Sequence, residues 1–301
     1  MSIERELFRI DDLIQLIRSK FKFIFLASLL ISSTTVFVTF LIPKTYTSSI
    51  LVKNNFNQAS SSLRSLNNQF GGLASMAGID IDPTGSLTLE QIEAQIVSRD
   101  FIDHLASFED FEINLLIPES YNEQSKILSY DESKYILNEK KWKSKEAEPL
   151  KSQRYKEFQD NIKITLDKDN SFIKIEYRHL SPIVAKDTLN LIVNEINNIN
   201  RDKALRESSD TINYLNTQLE ENSFNNVVKS INSLTEVELN KLVLANIKTD
   251  YTLTVIDSAF IPERKSHPKR SLIGLLTFVL SFLFLFLREL VKSFIKKRDL
   301  L

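Results

Sequence analysis

Two long runs of apolar residues stand near the two ends of the chain, and neither carries the polar stripe of a surface helix. Phe23–Ile42 contains 20 residues without a formal charge, which make roughly 30 Å of helix at 1.5 Å per residue. Leu272–Leu287 contains 16 such residues, and a helix there can continue because Arg288 can snorkel. A buried core helix is the alternative, but the length without a polar position favours a span. We therefore predict transmembrane helices at 23–42 and 271–291.

Basic residues around the first run indicate its orientation. Five precede it, namely Arg5, Arg9, Arg18, Lys20 and Lys22. Only Lys44 and Lys53 follow shortly after it. Since the first span usually dominates this bias, we expect residues 1–22 and 292–301 in the cytoplasm and residues 43–270 outside it. The run is longer than the apolar region of a signal peptide, and no A-x-A site follows, so we expect a retained anchor.

The second run gives no clear orientation, because cations lie on both of its sides. Those before it are Arg264, Lys265, Lys269 and Arg270, and those after it are Arg288, Lys292, Lys296, Lys297 and Arg298. Residues 43–270 carry 28 basic and 33 acidic side chains. Long loops cross the membrane largely regardless of charge, so this balance does not oppose an outer location.

Between the spans, period-two alternation of apolar residues predicts strands. It runs from Tyr46 to Val52, and again on both sides of an Asp-Lys-Asp-Asn turn, from Ile162 to Leu166 and from Ile173 to Tyr177. Residues 252–258 predict a last strand. Because the first and last strands both adjoin a span, we expect them to be neighbours in one sheet.

Helical periodicity and start signals predict the helices. Thr88 and Gln91 form a capping box that opens a helix over residues 88–107. Residues 130–137 predict partial helix, although the charged stretch around them is poorly periodic. Ser181-Pro182 opens a long helix, with proline at its first position.

The second half of the long helix is unusually polar. Its apolar stripe thins after Ile199, among Asn197, Asn198, Asn200, Arg201, Asp202 and Lys203, which predicts protrusion into water or packing on other copies of the chain. Ser233 and Glu236 form a second capping box and predict a further helix start. Whether residues 200–250 form one helix or two is left open. The predicted fold is α+β: a small mixed sheet at a membrane-proximal base plus a long protruding helix, between two transmembrane helices.

Composition argues against several classes of function. The 38 Lys and Arg nearly balance the 39 Asp and Glu, whereas nucleic-acid binding usually needs a basic face. No Cys is present, which excludes disulfides, thiolate metal sites and Cys nucleophiles. Three His far apart and five Gly leave little for a metal site or a nucleotide cradle, and no G-x-x-x-x-G-K-[S/T] motif occurs. We expect no catalytic residue, no cofactor and no metal.

Two clusters and one polar stripe remain as candidates. Asp80 and Asp82 read as a solvated loop more readily than as a catalytic pair. Four lysines around Trp142 could contact an anionic sugar, but a solvated charged face is the simpler interpretation; they are Lys140, Lys141, Lys143 and Lys145. In the first span, four hydroxyl side chains at helical spacing could bond to a partner span or to their own helix backbone: Ser28, Ser32, Thr35 and Thr39.

Four segments resemble the polysaccharide chain-length determinants, or polysaccharide co-polymerases of the Wzz type, without the kinase that some relatives carry. Residues 10–14 (IDDLI) are similar to the family's cytoplasmic segment before the first span. Pro43 and Tyr46 are similar to the start of its first periplasmic strand. Residues 70–78 (FGGLASMAG) resemble its glycine-containing segment. The most specific match is the approach to the second span, which holds Pro262, Pro268, Lys269 and Gly274.

The resemblance implies roles for these residues. Pro262 and Pro268, which fix φ and disfavour helix before them, would hold a stiff strut with Lys269 at headgroup level. An ordinary helix start with prolines outside it is the alternative. The glycines Gly71, Gly72 and Gly78 would line the interior of an oligomer, or belong to a plain flexible loop. The second span has the single glycine Gly274 and many Phe, which argues against a small-residue helix interface.

The function implied is a non-enzymatic inner-membrane scaffold that regulates the chain length of a surface polysaccharide, lipopolysaccharide O-antigen above all. Its main domain would be periplasmic. Its partners would be further copies of itself in a homo-oligomer, a membrane-embedded polymerase, lipid-linked polysaccharide and membrane lipid, with no nucleic acid. An accessory subunit for capsule or exopolysaccharide export is one alternative. A two-span extracytoplasmic sensor is the other, and it would need a separate signalling subunit.

Overall fold

The structure is a computed structural model that describes residues 10–55, 87–221 and 224–298. The chain divides into two compact units. One consists of Met1–Thr45 with Lys265–Leu301, and the other of Tyr46–Arg264. We call the first the terminal hairpin and the second the outer domain.

The terminal hairpin is built from two long helices that pack against each other. The first, α1, is Ile10–Val38, and the last helix of the chain is Arg270–Arg298. Both are long and apolar enough to cross a membrane, over Lys20–Val38 and Arg270–Lys292. The helix α1 ends short of the predicted span end at Ile42, because residues 39–42 form a turn. The span boundaries themselves stay predictions.

The outer domain contains a four-stranded sheet in which the first strand is central. The strand β1 is Tyr46–Asn54. It pairs on one side with Phe172–His179 and on the other with Leu253–Asp257, and Ile162–Asp167 completes the sheet. The predicted hairpin and the predicted neighbourhood of first and last strands are thus confirmed. All of these pairings are antiparallel, whereas a mixed sheet was predicted. That detail of the prediction is wrong.

Three short helices follow residue 87. They are α2 (Leu89–Ile96), α3 (Arg99–Leu105) and α4 (Phe111–Leu116). The Thr88–Gln91 capping box is present, with both reciprocal hydrogen bonds. The single helix predicted over 88–107 is wrong, because Ser98 caps a new helix by accepting a hydrogen bond from the Phe101 amide at 3.2 Å.

Small hairpins fill the charged stretch that follows. The first is β2 (Pro118–Asn122) with β3 (Ile127–Tyr130), and the second is β4 (Tyr135–Ile136) with β5 (Lys141–Trp142), joined by a 3₁₀ turn. The partial helix predicted over residues 130–137 is therefore wrong. The helix α5 (Lys151–Asn161), which the poor periodicity hid, leads into β6 (Ile162–Asp167) and β7 (Phe172–His179).

Two further helices form an antiparallel pair. The long helix α6 is Pro182–Glu221 and begins at the predicted proline, and α7 is Asn225–Ile247. Residues 200–250 are thus two helices. The start predicted at Ser233 is wrong, since the apolar face extends upstream through the buried Ile231. The strand β8 (Leu253–Asp257) and the terminal helix α8 (Arg270–Arg298) complete the chain.

The main core lies between one face of the sheet and the helices α2 to α6. Alternate residues of β7 and the first turns of α6 supply much of it, among them Ile173, Ile175, Tyr177, Leu189, Ile192 and Ile196, all nearly or fully buried. Burying such side chains contributes roughly 1.5–3 kcal/mol each. The α+β fold class predicted from periodicity is confirmed.

Candidate functional site

The two helices of the terminal hairpin meet closely at one glycine. A Cβ added to Gly274 would stand 2.8 Å from Val36 Cγ2 on α1. The Ser32 hydroxyl donates a hydrogen bond of 2.8 Å to the Gly274 carbonyl oxygen. Away from this point, two pairs of rings cross between the helices: Phe25 with Phe278 and Phe21 with Phe282.

The other hydroxyls predicted as span contacts bond within α1. Ser28 donates to the Ile24 carbonyl oxygen, Thr35 to that of Ile31 and Thr39 to that of Val36. Ser32 is therefore the member of the four that bonds across to the other helix among the residues described. From the sequence, each hydroxyl could bond to its own helix backbone or to a partner span. Ser32 differs from the other three because the Gly274 carbonyl oxygen of the facing helix lies within its reach.

The approach to α8 contains both prolines of the predicted strut. Residues 258–269 have no helix or strand apart from a bridge between Thr45 and His267. Pro262 is buried within the outer domain, and just before it the Ser48 hydroxyl donates to the Phe260 carbonyl oxygen at 2.6 Å. Pro268 and Lys269 immediately precede α8, the helix that contains Gly274.

The Thr45–His267 bridge joins the segment that follows α1 to the segment that precedes α8. The Thr45 amide donates to the His267 carbonyl oxygen at 3.1 Å, and the Ser266 amide donates to the Thr45 carbonyl oxygen at 2.9 Å. Nearby, the Arg270 guanidinium lies over the Phe40 ring, with its carbon 4.0 Å from the ring centroid. These contacts hold residues 266–270 beside the end of α1, and the role of the segment as a strut stays a prediction.

The polar stretch of α6 is used inside the outer domain. Asn197 is buried: its side-chain oxygen accepts from the amides of Thr252 and Leu253, and its amide donates to the Leu253 carbonyl oxygen. Asn200 exchanges two side-chain hydrogen bonds with Gln95. The predicted exposure to water is thus wrong for Asn197 and Asn200, because these amides pair with polar groups of neighbouring elements, whereas Asp202 and Lys203 of the same stretch are exposed.

Histidines and tyrosines of the outer domain have structural partners. His179 Nδ1 accepts from the Ser181 amide, so Nε2 carries the proton that it donates to the Asn114 carbonyl oxygen. Burial lowers the pKa of His179, because it disfavours the charged ring. Burial and then the hydrogen bond to Glu123 raise the pKa of Tyr46 to about 12. His104 pairs with Glu195 at 2.7 Å.

The lysines around Trp142 are partly paired. Lys140 pairs with Glu109 and Lys141 with Glu139, while Lys143 and Lys145 are exposed. Trp142 packs edge-on against Tyr135. Among the described residues, no group of His, Cys, Asp and Glu could hold a metal ion. Gly71, Gly72, Gly78, Asp80 and Asp82 lie outside the described residues.

No protein-family model matches this chain, and no curated protein matches it. Solved structures do. A full-length bacterial polysaccharide co-polymerase has a TM-score of 0.36 and 12% identity, over 96% of this chain and 99% of that chain. A fragment of WzzB, a polysaccharide co-polymerase from Salmonella Typhimurium, has a TM-score of 0.31 and 13% identity, over 75% of this chain and 100% of that chain.

A third similar structure is a point mutant of the Shigella flexneri lipopolysaccharide O-antigen chain-length regulator WzzB. Its TM-score is 0.22 and its identity 10%, over 74% of this chain and 100% of that chain. Identities and TM-scores this low assign no function to this chain.

Proposed function

We propose that this protein is a two-span scaffold of the bacterial inner membrane that regulates the chain length of a surface polysaccharide, lipopolysaccharide O-antigen above all. One observation carries the proposal: the apolar helices at the two ends of the chain pack together, and the first and last strands of the domain between them pair. A domain held at both ends in this way is suited to present a fixed surface. The four segments described above supply the link to polysaccharide.

A membrane location is supported by the outer surfaces of the two helices. Leu275 and Phe284 are 63% and 69% exposed, and Phe37 is 74% exposed. Such large apolar side chains are unfavourable in water but suit lipid. The approach through Pro262 and Pro268 would then connect the bilayer to the periplasmic domain.

A homo-oligomer is supported by an exposed apolar stripe on α7. Leu239, Val243 and Ile247 follow one another at four-residue spacing, and they are 47%, 48% and 73% exposed. Residues four apart share one helix face, so the stripe is continuous. A second copy of the chain would cover it, and the polymerase and lipid-linked polysaccharide would act beside the assembled copies.

Substitution within the stripe tests the oligomer. We expect Val243→Glu to reduce cross-linking of the chain into multimers in membranes, because burying a carboxylate without a partner is costly. Asn216→Glu, at an exposed position on α6 rather than α7, is the matched control. Cross-linking followed by mass measurement reads the result, and unchanged multimers for Val243→Glu would refute this interface.

Deletion of the gene tests the function itself. We expect the modal chain length of surface polysaccharide on a gel to be lost, and to return when the wild-type gene is supplied. An unchanged length distribution would refute the proposal. Loss of the polymer altogether, without a shift in length, would instead indicate an accessory subunit of export.

A further inference from the structure

Three basic residues lie just before and at the beginning of α8. In the proposed topology this is the extracytoplasmic side of the spans, where basic residues are less frequent than on the cytoplasmic side. We call Lys265, Lys269 and Arg270 the basic collar. With residues 43–270 outside the cytoplasm, the collar lies on the translocated side, where Lys and Arg near a span oppose its orientation. The orientation of the spans therefore does not explain this cluster.

None of the three side chains has a carboxylate partner among the residues described. Several lysines of the outer domain do pair with acidic side chains, among them Lys140 and Lys151. The Arg270 guanidinium makes no hydrogen bond within the described part of the chain, and its buried Nε has no acceptor. Its contact is with the face of the Phe40 ring.

The backbone that carries the collar is held in place. Thr45 exchanges hydrogen bonds with Ser266 and His267, which lie between Lys265 and Lys269. The Arg270 amide donates to the Pro268 carbonyl oxygen at 3.0 Å. Stacking on Phe40 also restricts the guanidinium. A ligand that binds here therefore meets a backbone and one guanidinium that are already held in place, which lowers the entropic cost of binding.

The apolar surface of α8 begins directly after the collar. Leu272 and Leu275 are more than half exposed, and they follow Arg270 within the first turns of the helix. A cation at the end of an apolar surface lies at the depth of lipid headgroups. The negatively charged group found at that depth is phosphate.

We propose that the basic collar binds the phosphate of an anionic membrane lipid. The source of the phosphate is either a bulk phospholipid headgroup or the pyrophosphate of a lipid-linked glycan. The inference requires the terminal hairpin to lie in a membrane, but it does not require control of chain length. The two can therefore fail separately.

Photolabelling of the full chain in vesicles tests the site. The probes are phosphatidylglycerol and phosphatidylcholine with a photoreactive headgroup, and the readout is the labelled peptide that contains Lys265–Gly274. We expect phosphatidylglycerol to label it in preference to phosphatidylcholine. Lys265→Gln with Lys269→Gln should lower that labelling roughly 25-fold, since each interfacial cation contributes about fivefold.

Three variants make the result specific. Lys143→Gln with Lys145→Gln removes the same charge from the outer domain and should leave the labelling unchanged. Lys265→Arg with Lys269→Arg should retain it. Arg270→Gln alone should also weaken it, with folding of every variant checked by circular dichroism.

Competition with unlabelled lipid distinguishes the two sources. A polyprenyl pyrophosphate that competes at lower concentration than phosphatidylglycerol identifies the lipid-linked glycan, and equal competition identifies the bulk headgroup. Either outcome supports the collar. Equal labelling by phosphatidylcholine, wild-type labelling of the double Gln variant, or an equal drop in the outer-domain control would overturn the proposal.

Discussion

Replacing Gly274 with alanine gives the sharpest test of the terminal hairpin, because the expected sign is opposite to that of an ordinary helix. Glycine is about 1 kcal/mol less favourable than alanine in a helix interior, so Gly274→Ala alone should stabilise α8. The new Cβ would, however, stand 2.8 Å from Val36 Cγ2, whereas carbon atoms pack best at about 3.5–4.0 Å. The two helices must separate or Val36 must leave its rotamer.

Overpacked cores of other proteins indicate how much free energy the Gly274→Ala clash costs. Forcing an extra methyl group into a tight contact costs about 1–3 kcal/mol, which is roughly a fivefold to hundredfold lower ratio of packed to separated helices. Ser32→Ala, which removes the hydrogen bond to the Gly274 carbonyl oxygen, should cost less, about 0.6 kcal/mol. Gly274→Ala with Val36→Ala should recover packing, because the second change removes the methyl group in the way.

Because the chain contains no cysteine, thiol cross-linking can follow the packing without background. Phe25→Cys and Phe278→Cys replace two rings whose centroids are 5.5 Å apart. In this pair, a short bifunctional reagent should join the helices more slowly after Gly274→Ala and at the original rate after the added Val36→Ala. Faster or equal cross-linking with Gly274→Ala, or no recovery, would refute the close contact.

Three other predictions concern the outer domain and the strut. Asn197→Ala should lower the free energy of unfolding by about 2–4 kcal/mol, because it leaves buried backbone groups unpaired, while the exposed Asn246→Ala should change little. His179, whose folded pKa is depressed, should give stability that is full above about pH 6.5 and is lost as the pH falls through the folded pKa; His179→Asn should remove this dependence. Pro262→Ala with Pro268→Ala should alter polysaccharide length on a gel while the domain stays folded.

Each of these has a direct readout. The fluorescence of Trp142, the one tryptophan of the chain, follows urea unfolding of the full protein in detergent. A loss for Asn197→Ala no larger than that for Asn246→Ala would contradict its role in joining α6 to β8. A pH dependence that survives His179→Asn would assign it to another group. A wild-type length distribution with both prolines replaced would remove the reason for the strut.

Local signals in the sequence predicted the fold where one element decides its own structure. The alternation from Ile162 to Tyr177 predicts a hairpin from local residues alone, and Pro182 fits the first turn of a helix but not its interior. Ser233 shows the limit of such signals. A capping residue also fits a helix interior, and the start of α7 was decided by apolar residues farther upstream that pack on α6.

Hydrogen bonds between residues far apart in the chain could not be predicted from the sequence. The amides of Asn197 and Asn200 look like solvated positions until Leu253 and Gln95 are known to lie beside them. In the same way, four hydroxyls of α1 look equivalent, and Ser32 differs because Gly274 faces it. Composition indicates that polar groups are present, but three-dimensional neighbours decide whether they are partners.

The pairing of β1 with β8 has a consequence for how the protein is made. These strands are about two hundred residues apart, and contacts between such distant residues slow folding because a long loop must close first. During synthesis the ribosome has to produce nearly the whole outer domain before β1 gains its second neighbour. Until then one edge of β1 lies open, and a nascent chain arrested before Leu253 would offer that edge to proteases and to other strands.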